Sequence, residues 1–235
     1  GEVQYAESID GIHWHSVLNA PVLKPGPSGS WDTDRFGMSS LIKDDGVYKM
    51  YYSAFPNGIN NSIGLAVSQD GITWEKQAQP VFTVSSSETE ICASGVVKKG
   101  SMYYLFYSTG PALNIHMAQS QDGIHWERYS GNPVLTPEKP WEMSGIVYPS
   151  VTYDGTKFVM IYENWNRNGF GMATSTDGIN WKKDSKNPIL ELKNTNRQWA
   201  GQINYPFYFK NGEEQRIYYT GPASGSNNLG VFIYK

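Results

Sequence analysis

Apolar and polar positions alternate along this chain in short aromatic runs, such as Val47-Tyr48-Lys49-Met50-Tyr51-Tyr52 and Tyr103-Tyr104-Leu105-Phe106-Tyr107. Runs of this kind bounded by Asp-Gly, Asn-Gly or Lys-Gly predict strands and hairpins. A pleated strand sends successive side chains to opposite faces, and the Gly-containing dipeptides supply the tight turns. No long stripe with a helical period interrupts the pattern. The chain reads as all-β.

A repeat organises these strands. Ser-x-Asp-Gly-Ile-x-Trp occurs four times, at Ser8 to Trp14, Ser68 to Trp74, Ser120 to Trp126 and Ser175 to Trp181, with the Trp residues 60, 52 and 55 positions apart. Each copy marks the same corner of a recurring supersecondary unit. Asp-Gly supplies the positive φ of a tight turn, the Ser and Asp oxygens bond to local backbone, and the Trp packs between neighbouring sheets. The motif is therefore read as scaffold, and Asp10, Asp70, Asp122 and Asp177 are set aside as site residues.

Each unit contains a first strand (Phe36 to Ile42, Ile91 to Val97, Val147 to Tyr153, Ile203 to Phe209) and a second aromatic strand (Tyr48 to Ser53, Tyr103 to Ser108, Phe158 to Glu163, Arg216 to Thr220). A third begins at Ile63, Ile115, Phe170 or Leu229, and the corner leads into a fourth that ends near Leu23, Phe82, Leu135 or Leu190. Four antiparallel strands in each repeat make a propeller blade. The chain starts and stops on third strands. It is predicted to form a single domain, 1–235, folded as a five-bladed β-propeller of four-stranded antiparallel blades with an incomplete first blade.

Charge narrows the partners. The 19 Lys and Arg residues against 22 Asp and Glu give a net charge of -3, which provides no footprint for a nucleic-acid backbone or an anionic membrane. The single Cys92 excludes an intrachain disulfide. No apolar run reaches the length of a membrane helix. The N-terminal Gly-Glu-Val-Gln-Tyr is neither an initiator Met nor a signal peptide, so a processed chain or a piece of a longer one is expected, and localisation, secreted or cytoplasmic, stays open. The surplus is aromatic: 16 Tyr, 8 Trp and 9 Phe.

Pro-Val-Leu-Lys-Pro-Gly-Pro-Ser-Gly-Ser-Trp-Asp (21–32), the spacing from Trp141 to Pro149-Ser150-Val151, an Asp-Gly-x-x-Phe/Tyr turn and Gly171-Met-Ala-Thr-Ser-Thr-Asp-Gly-Ile-Asn-Trp181 resemble the five-bladed β-propeller glycosidases of glycoside hydrolase families 43, 32 and 130. The resemblance implies an oligo- or polysaccharide partner, no obligatory cofactor, and room for an axial calcium ion as in some relatives. It also implies a carboxylate pair facing a central pit, one protonating the departing oxygen and the other acting as nucleophile or base. Family members commonly carry Asp before Pro on a blade's first strand. This chain departs there, with Met38-Ser39, Ala93-Ser94, Tyr148-Pro149 and Tyr205-Pro206.

Replacements are sought where one repeat breaks the rule of its siblings. The second strands end in Tyr52-Ser53, Tyr107-Ser108, Tyr162-Glu163 and Tyr219-Thr220, so Glu163 is the exception, and Asn164, Trp165, Asn166 and Arg167 follow it. Before the first strands, Arg35 and Glu90 occupy the places of Gly145 and Gln202, with Asp34 next to Arg35. A carboxylate beside a guanidinium stays ionised whereas an acid needs burial, so Asp34 (or Asp32) is the expected base and Glu90 or Glu163 the expected acid. His116 stands where the siblings have Gly64, Gly171 and Gly230. Arg35, His116, Tyr148, Trp165, Arg167, Asn204 and Tyr205 are the expected sugar contacts. Glu142 after Trp141 mirrors Asp32 after Trp31 and reads as repeated architecture.

The leading expectation is a glycoside hydrolase or phosphorylase. The alternative is a non-catalytic carbohydrate-binding propeller or an accessory domain of a polysaccharide-processing protein. A sialidase-like reading needs an arginine cluster, and Arg35, Arg128, Arg167, Arg197 and Arg216 are scattered over the repeats.

Overall fold

The computed structural model describes residues 1–55, 61–110, 112–195, 201–223 and 226–234. Backbone contacts divide the chain into two compact units, Gly1–Ala93 and Ser94–Lys235.

The first unit opens with an antiparallel ribbon, β1 (Ala6–Glu7) with β2 (His15–Ser16), extended by a bridge between Val3 and Leu23. Its sheet comprises β3 (Phe36–Asp44), β4 (Val47–Ala54), β5 (Ser62–Ser68), β6 (Glu75–Lys76) and β7 (Phe82–Thr83), in the order β3-β4-β5-β6 with β7 also on β5.

In the second unit, β8 (Ile91–Lys99) begins at the boundary and joins β9 (Met102–Thr109), β10 (Asn114–Ser120) and β11 (Glu127–Arg128) in one sheet. A second sheet holds β12 (Ile146–Tyr153), β13 (Phe158–Asn164), β14 (Gly169–Ser175), β15 (Lys182–Lys183) and β16 (Leu190–Glu191). The third is β17 (Asn204–Asn211), β18 (Glu214–Ala223) and β19 (Ser226–Tyr234).

These three sheets pack in chain order, which is the succession of propeller blades. Strand β13 shows why its sequence is apolar almost throughout. Phe158, Met160 and Tyr162 face a core shared with Phe106, Ile115 and Met117, while Val159 and Ile161 face a second core with Ile203, Tyr208 and Ile217. A strand buried on both faces loses the polar half of its alternation.

The corners form as the repeat predicts. In the fourth copy, Asp177 Oδ1 accepts the N–H groups of Ile179 and Asn180 at 2.8 Å each, and Ser175 Oγ accepts that of Gly178 at 2.9 Å. Trp181 donates to the Gly178 carbonyl at 2.9 Å and meets Phe106 of the preceding blade edge-on, with centroids 5.4 Å apart. Gly178 has φ +80, a conformation closed to most side chains.

Two expectations are corrected. The described residues form four sheets of three or more strands rather than five blades, because residues before β3 supply only the outer two strands of a unit, as the ribbon β1–β2. The fourth strands are broken into dipeptides such as β15 and β16. Proline interrupts them, having no N–H for the ladder. Asn187 fills the gap: its side chain accepts the Met172 N–H at 2.8 Å and donates to the Met172 carbonyl at 2.9 Å. Asn132 does the same for Met117, at 2.8 Å in both directions.

Candidate active site

The alternation along β13 that sends Val159 and Ile161 toward β17 places Glu163 on the same face, where the apolar core ends. Glu163 is 0% exposed. Its Oε2 accepts the backbone N–H of Tyr205 at 2.7 Å, and its Oε1 has no hydrogen-bond partner among the described residues. Burial pushes the Glu163 carboxyl up to about 8, against the opposing pull of the Tyr205 N–H and the Arg167 charge. At neutral pH this group holds its proton.

The N–H that grips Glu163 is presented by a bulge. Pairing of β17 with β18 slips between Asn204 and Phe207, and pairing of β12 with β13 slips between Val147 and Ser150. Each slip contains a Tyr-Pro pair whose Tyr is left-handed, with φ 52 at Tyr148 and φ 57 at Tyr205. Such backbone costs on the order of 1–3 kcal/mol for a residue with a Cβ and collects at functional sites. The two rings meet edge to face at 5.0 Å. Asn204 precedes Tyr205, is 5% exposed, and leaves its side-chain Oδ1 without a donor among the described residues.

Beyond Glu163 the chain makes a tight loop. Asn164 holds it, with Oδ1 accepting the N–H groups of Asn168 and Gly169 at 3.1 and 3.0 Å and Nδ2 donating to the Trp141 carbonyl at 2.9 Å. Trp165 stays 39% exposed. The Arg167 guanidinium lies over its ring at 5.7 Å. Arg167 is itself left-handed at φ 59, and its carbonyl accepts the Ile203 N–H at 2.8 Å, tying the loop to the start of β17.

Glu163, Asn204, Tyr205, Tyr148, Arg167 and Trp165 are thus gathered at adjoining ends of β12, β13 and β17. His116 lies on β10, paired with Tyr107 and with its ring 5.7 Å from the tyrosine ring. Asp34, Arg35 and Glu90 belong to the first unit. Asp34 and Arg35 are exposed, the latter 4.7 Å over the Phe55 ring, and Glu90 is half-buried. Arg197 lies outside the described residues.

Asp32 and Glu142 are scaffold carboxylates. Glu142 Oε2 pairs with Lys183 at 2.7 Å, Oε1 accepts from the Tyr162 hydroxyl at 2.7 Å, and Trp141 stacks on Tyr162 at 6.0 Å. Asp32 repeats this with Lys76 at 2.6 Å, Tyr52 at 3.3 Å, and Trp31 stacked on Tyr52 at 5.9 Å. Asp32, the alternative to Asp34 as the expected base, is engaged in this ion pair. Burial works against ionisation of Glu142, but Lys183, Tyr162 and two backbone N–H groups outweigh it and hold its carboxyl below the ordinary range. Gly64 and Gly171 are small because the tyrosine rings of these clusters lie on them; a Cβ at either position would come within 2.3 Å of the ring.

The bulge-borne N–H of Tyr205 and the loop-closing role of Asn164 escaped the sequence reading. The recurrence of Tyr-Pro inside two predicted first strands was the available signal for the bulges. Among the described residues no group of three or more His, Cys, Asp or Glu is placed to hold a metal ion, and no helix is long and apolar enough to cross a membrane.

The pattern of the glycosyl hydrolases family 32 N-terminal domain matches residues 26–199 and again 93–235. The chain belongs to this family. The two overlapping matches are what an internally repeated fold produces, since blades can be aligned in more than one register. An uncharacterized Mycobacterium tuberculosis protein is 23% identical over 234 residues, spanning 91% of this chain and 76% of that protein. A 1,2-beta-oligomannan phosphorylase from Thermoanaerobacter is 28% identical over 197 residues, spanning 76% of this chain and 62% of the enzyme. A solved structure described as a glycoside hydrolase superposes with TM-score 0.75 at 18% identity, covering 98% of this chain and 77% of its own. Structures of family 32, 43 and 130 enzymes share the same fold.

Proposed function

We propose that the protein cleaves glycosidic bonds, with Glu163 as the general acid. The observation that carries this reading is a fully buried carboxyl that holds its proton at neutral pH, anchored through one oxygen to the Tyr205 N–H with the other oxygen uncommitted. An acid of this kind protonates the departing glycosidic oxygen as the bond to the anomeric carbon breaks. A second carboxylate is required as nucleophile or base. Trp165 offers an exposed aromatic face of the kind a sugar ring packs on. Similarity to an oligomannan phosphorylase brings phosphate forward as an acceptor beside water.

A panel of chromogenic glycosides and β-1,2-mannobiose, assayed with and without inorganic phosphate, tests the proposal. Turnover by the wild type that falls at least 100-fold in Glu163→Gln is expected. Equal rates in the two proteins remove Glu163 from the chemistry, and saccharide binding without turnover marks a binding module.

A further inference from the structure

Five buried side-chain atoms lack hydrogen-bond partners among the described residues, and two of them, Glu163 Oε1 and Asn204 Oδ1, lie on residues of neighbouring blades joined by a hydrogen bond. They are held in a fixed relation. Glu163 Oε2 is bonded to the N–H of the Asn204–Tyr205 peptide at 2.7 Å, so the carboxyl abuts the residue that carries the second orphan. Asn204 is itself pinned in the sheet, paired with Thr220, whose hydroxyl donates to the Asn204 carbonyl at 3.5 Å. Leaving a buried polar atom unpaired is unfavourable, so two on adjoining residues point to a ligand that completes them.

The chemistry of the pair defines what relieves it. The amide oxygen of Asn204 can only accept, and the unbonded end of a protonated carboxyl can donate. A group that donates to one and accepts from the other satisfies both. Hydroxyls do this; a simple carboxylate has no proton to give to Asn204.

We propose that Asn204 is a specificity-determining residue that accepts a hydrogen bond from a sugar hydroxyl, next to the oxygen that Glu163 protonates. This deepens the reading of Glu163 as a glycosidase acid and rests on it for the position of the hydroxyl, though not for the existence of the polar pair. Sites built around a buried hydrogen-bonding group reject analogues that lack the matching hydroxyl by large factors, because the protein group is then stranded. Asn204 is accordingly expected to sort saccharides by one hydroxyl.

The test begins without a ligand. In the empty protein, Asn204→Leu removes an unpaired polar atom, so its melting temperature is expected to equal or exceed that of the wild type, with Asn204→Ala as the smaller control. Losses of more than about 5 °C in both variants show that the amide is part of the scaffold and overturn the proposal. Thermal shift and calorimetry then compare wild type and Asn204→Ala with β-1,2-mannobiose, sucrose and acetate, an anion with no hydroxyl to donate. At least tenfold weaker binding of a saccharide in Asn204→Ala, with acetate unaffected, is expected, and a monodeoxy analogue of that saccharide should bind both proteins alike. Binding of every probe within twofold in the two proteins overturns the proposal. If Glu163→Gln retains full turnover while Asn204→Ala loses saccharide binding, the acid assignment fails and this inference stands; the reverse result removes Asn204 alone.

Discussion

Glu163 accepts the backbone N–H of Tyr205 across the gap between two blades, at 2.7 Å. The bond joins a side chain at the end of a second strand to a backbone group that a bulge has turned out of its own ladder. The carboxyl is thereby oriented without being neutralised, since an amide N–H brings no net charge. Burial is left to dominate its titration.

A stability slope with pH follows from that titration. The unfolded Glu163 ionises near its ordinary value of 4.5, whereas the folded group keeps its proton until about pH 8. Between these values the native state binds more protons than the unfolded state, so stability falls as pH rises, by up to about 1.4 kcal/mol per pH unit. Urea unfolding at pH 5, 6, 7 and 8 should show the decline in the wild type and a flatter profile in Glu163→Gln. Parallel profiles contradict the assignment.

Activity should follow the same proton. With Glu163 as the acid, kcat/KM is expected to fall as pH passes about 8, and the limb should disappear from the residual activity of Glu163→Gln. A limb retained in the variant assigns the acid elsewhere.

The Glu142–Lys183 pair is fully buried on the carboxylate side, so removing one member strands the other. Lys183→Met is expected to cost about 3–5 kcal/mol, and the double variant Lys183→Met/Glu142→Leu appreciably less than the sum of the single changes. Denaturant titration of the four proteins measures the coupling, and additive losses contradict a direct pair.

At the corner, Gly178→Ala forces a Cβ into left-handed backbone at φ +80. A loss of about 1–2 kcal/mol is expected, seen as a lower urea midpoint with an unchanged slope. A neutral outcome would mean that the turn can change type.

Much of this architecture was legible because folding information repeats. The strand cores around Met50, Phe106, Met160 and Ile217 and all four Asp-Gly corners are specified by local alternation and turn chemistry, which act over a few residues. Glu163 was legible by contrast, as the one second-strand ending that broke its siblings' rule. What stayed hidden depends on distant partners. The fourth strands look continuous until the prolines are weighed with the Asn132 and Asn187 amides that replace their ladder bonds. The role of Asp32 could be read only through its match with Glu142, because the lysines that neutralise the two carboxylates lie 44 and 41 residues downstream. The grip on Glu163 comes from a backbone atom, which no side-chain pattern announces.

The corner motif closes its hydrogen bonds within seven consecutive residues, from Ser175 to Trp181 in the fourth copy. A turn that satisfies itself so locally travels as a cassette: a duplicated gene segment arrives with its own bend already wired. Copies can then drift apart at the far ends of their strands, where Glu163 departs from its siblings, while the hinge that folds each one is inherited intact.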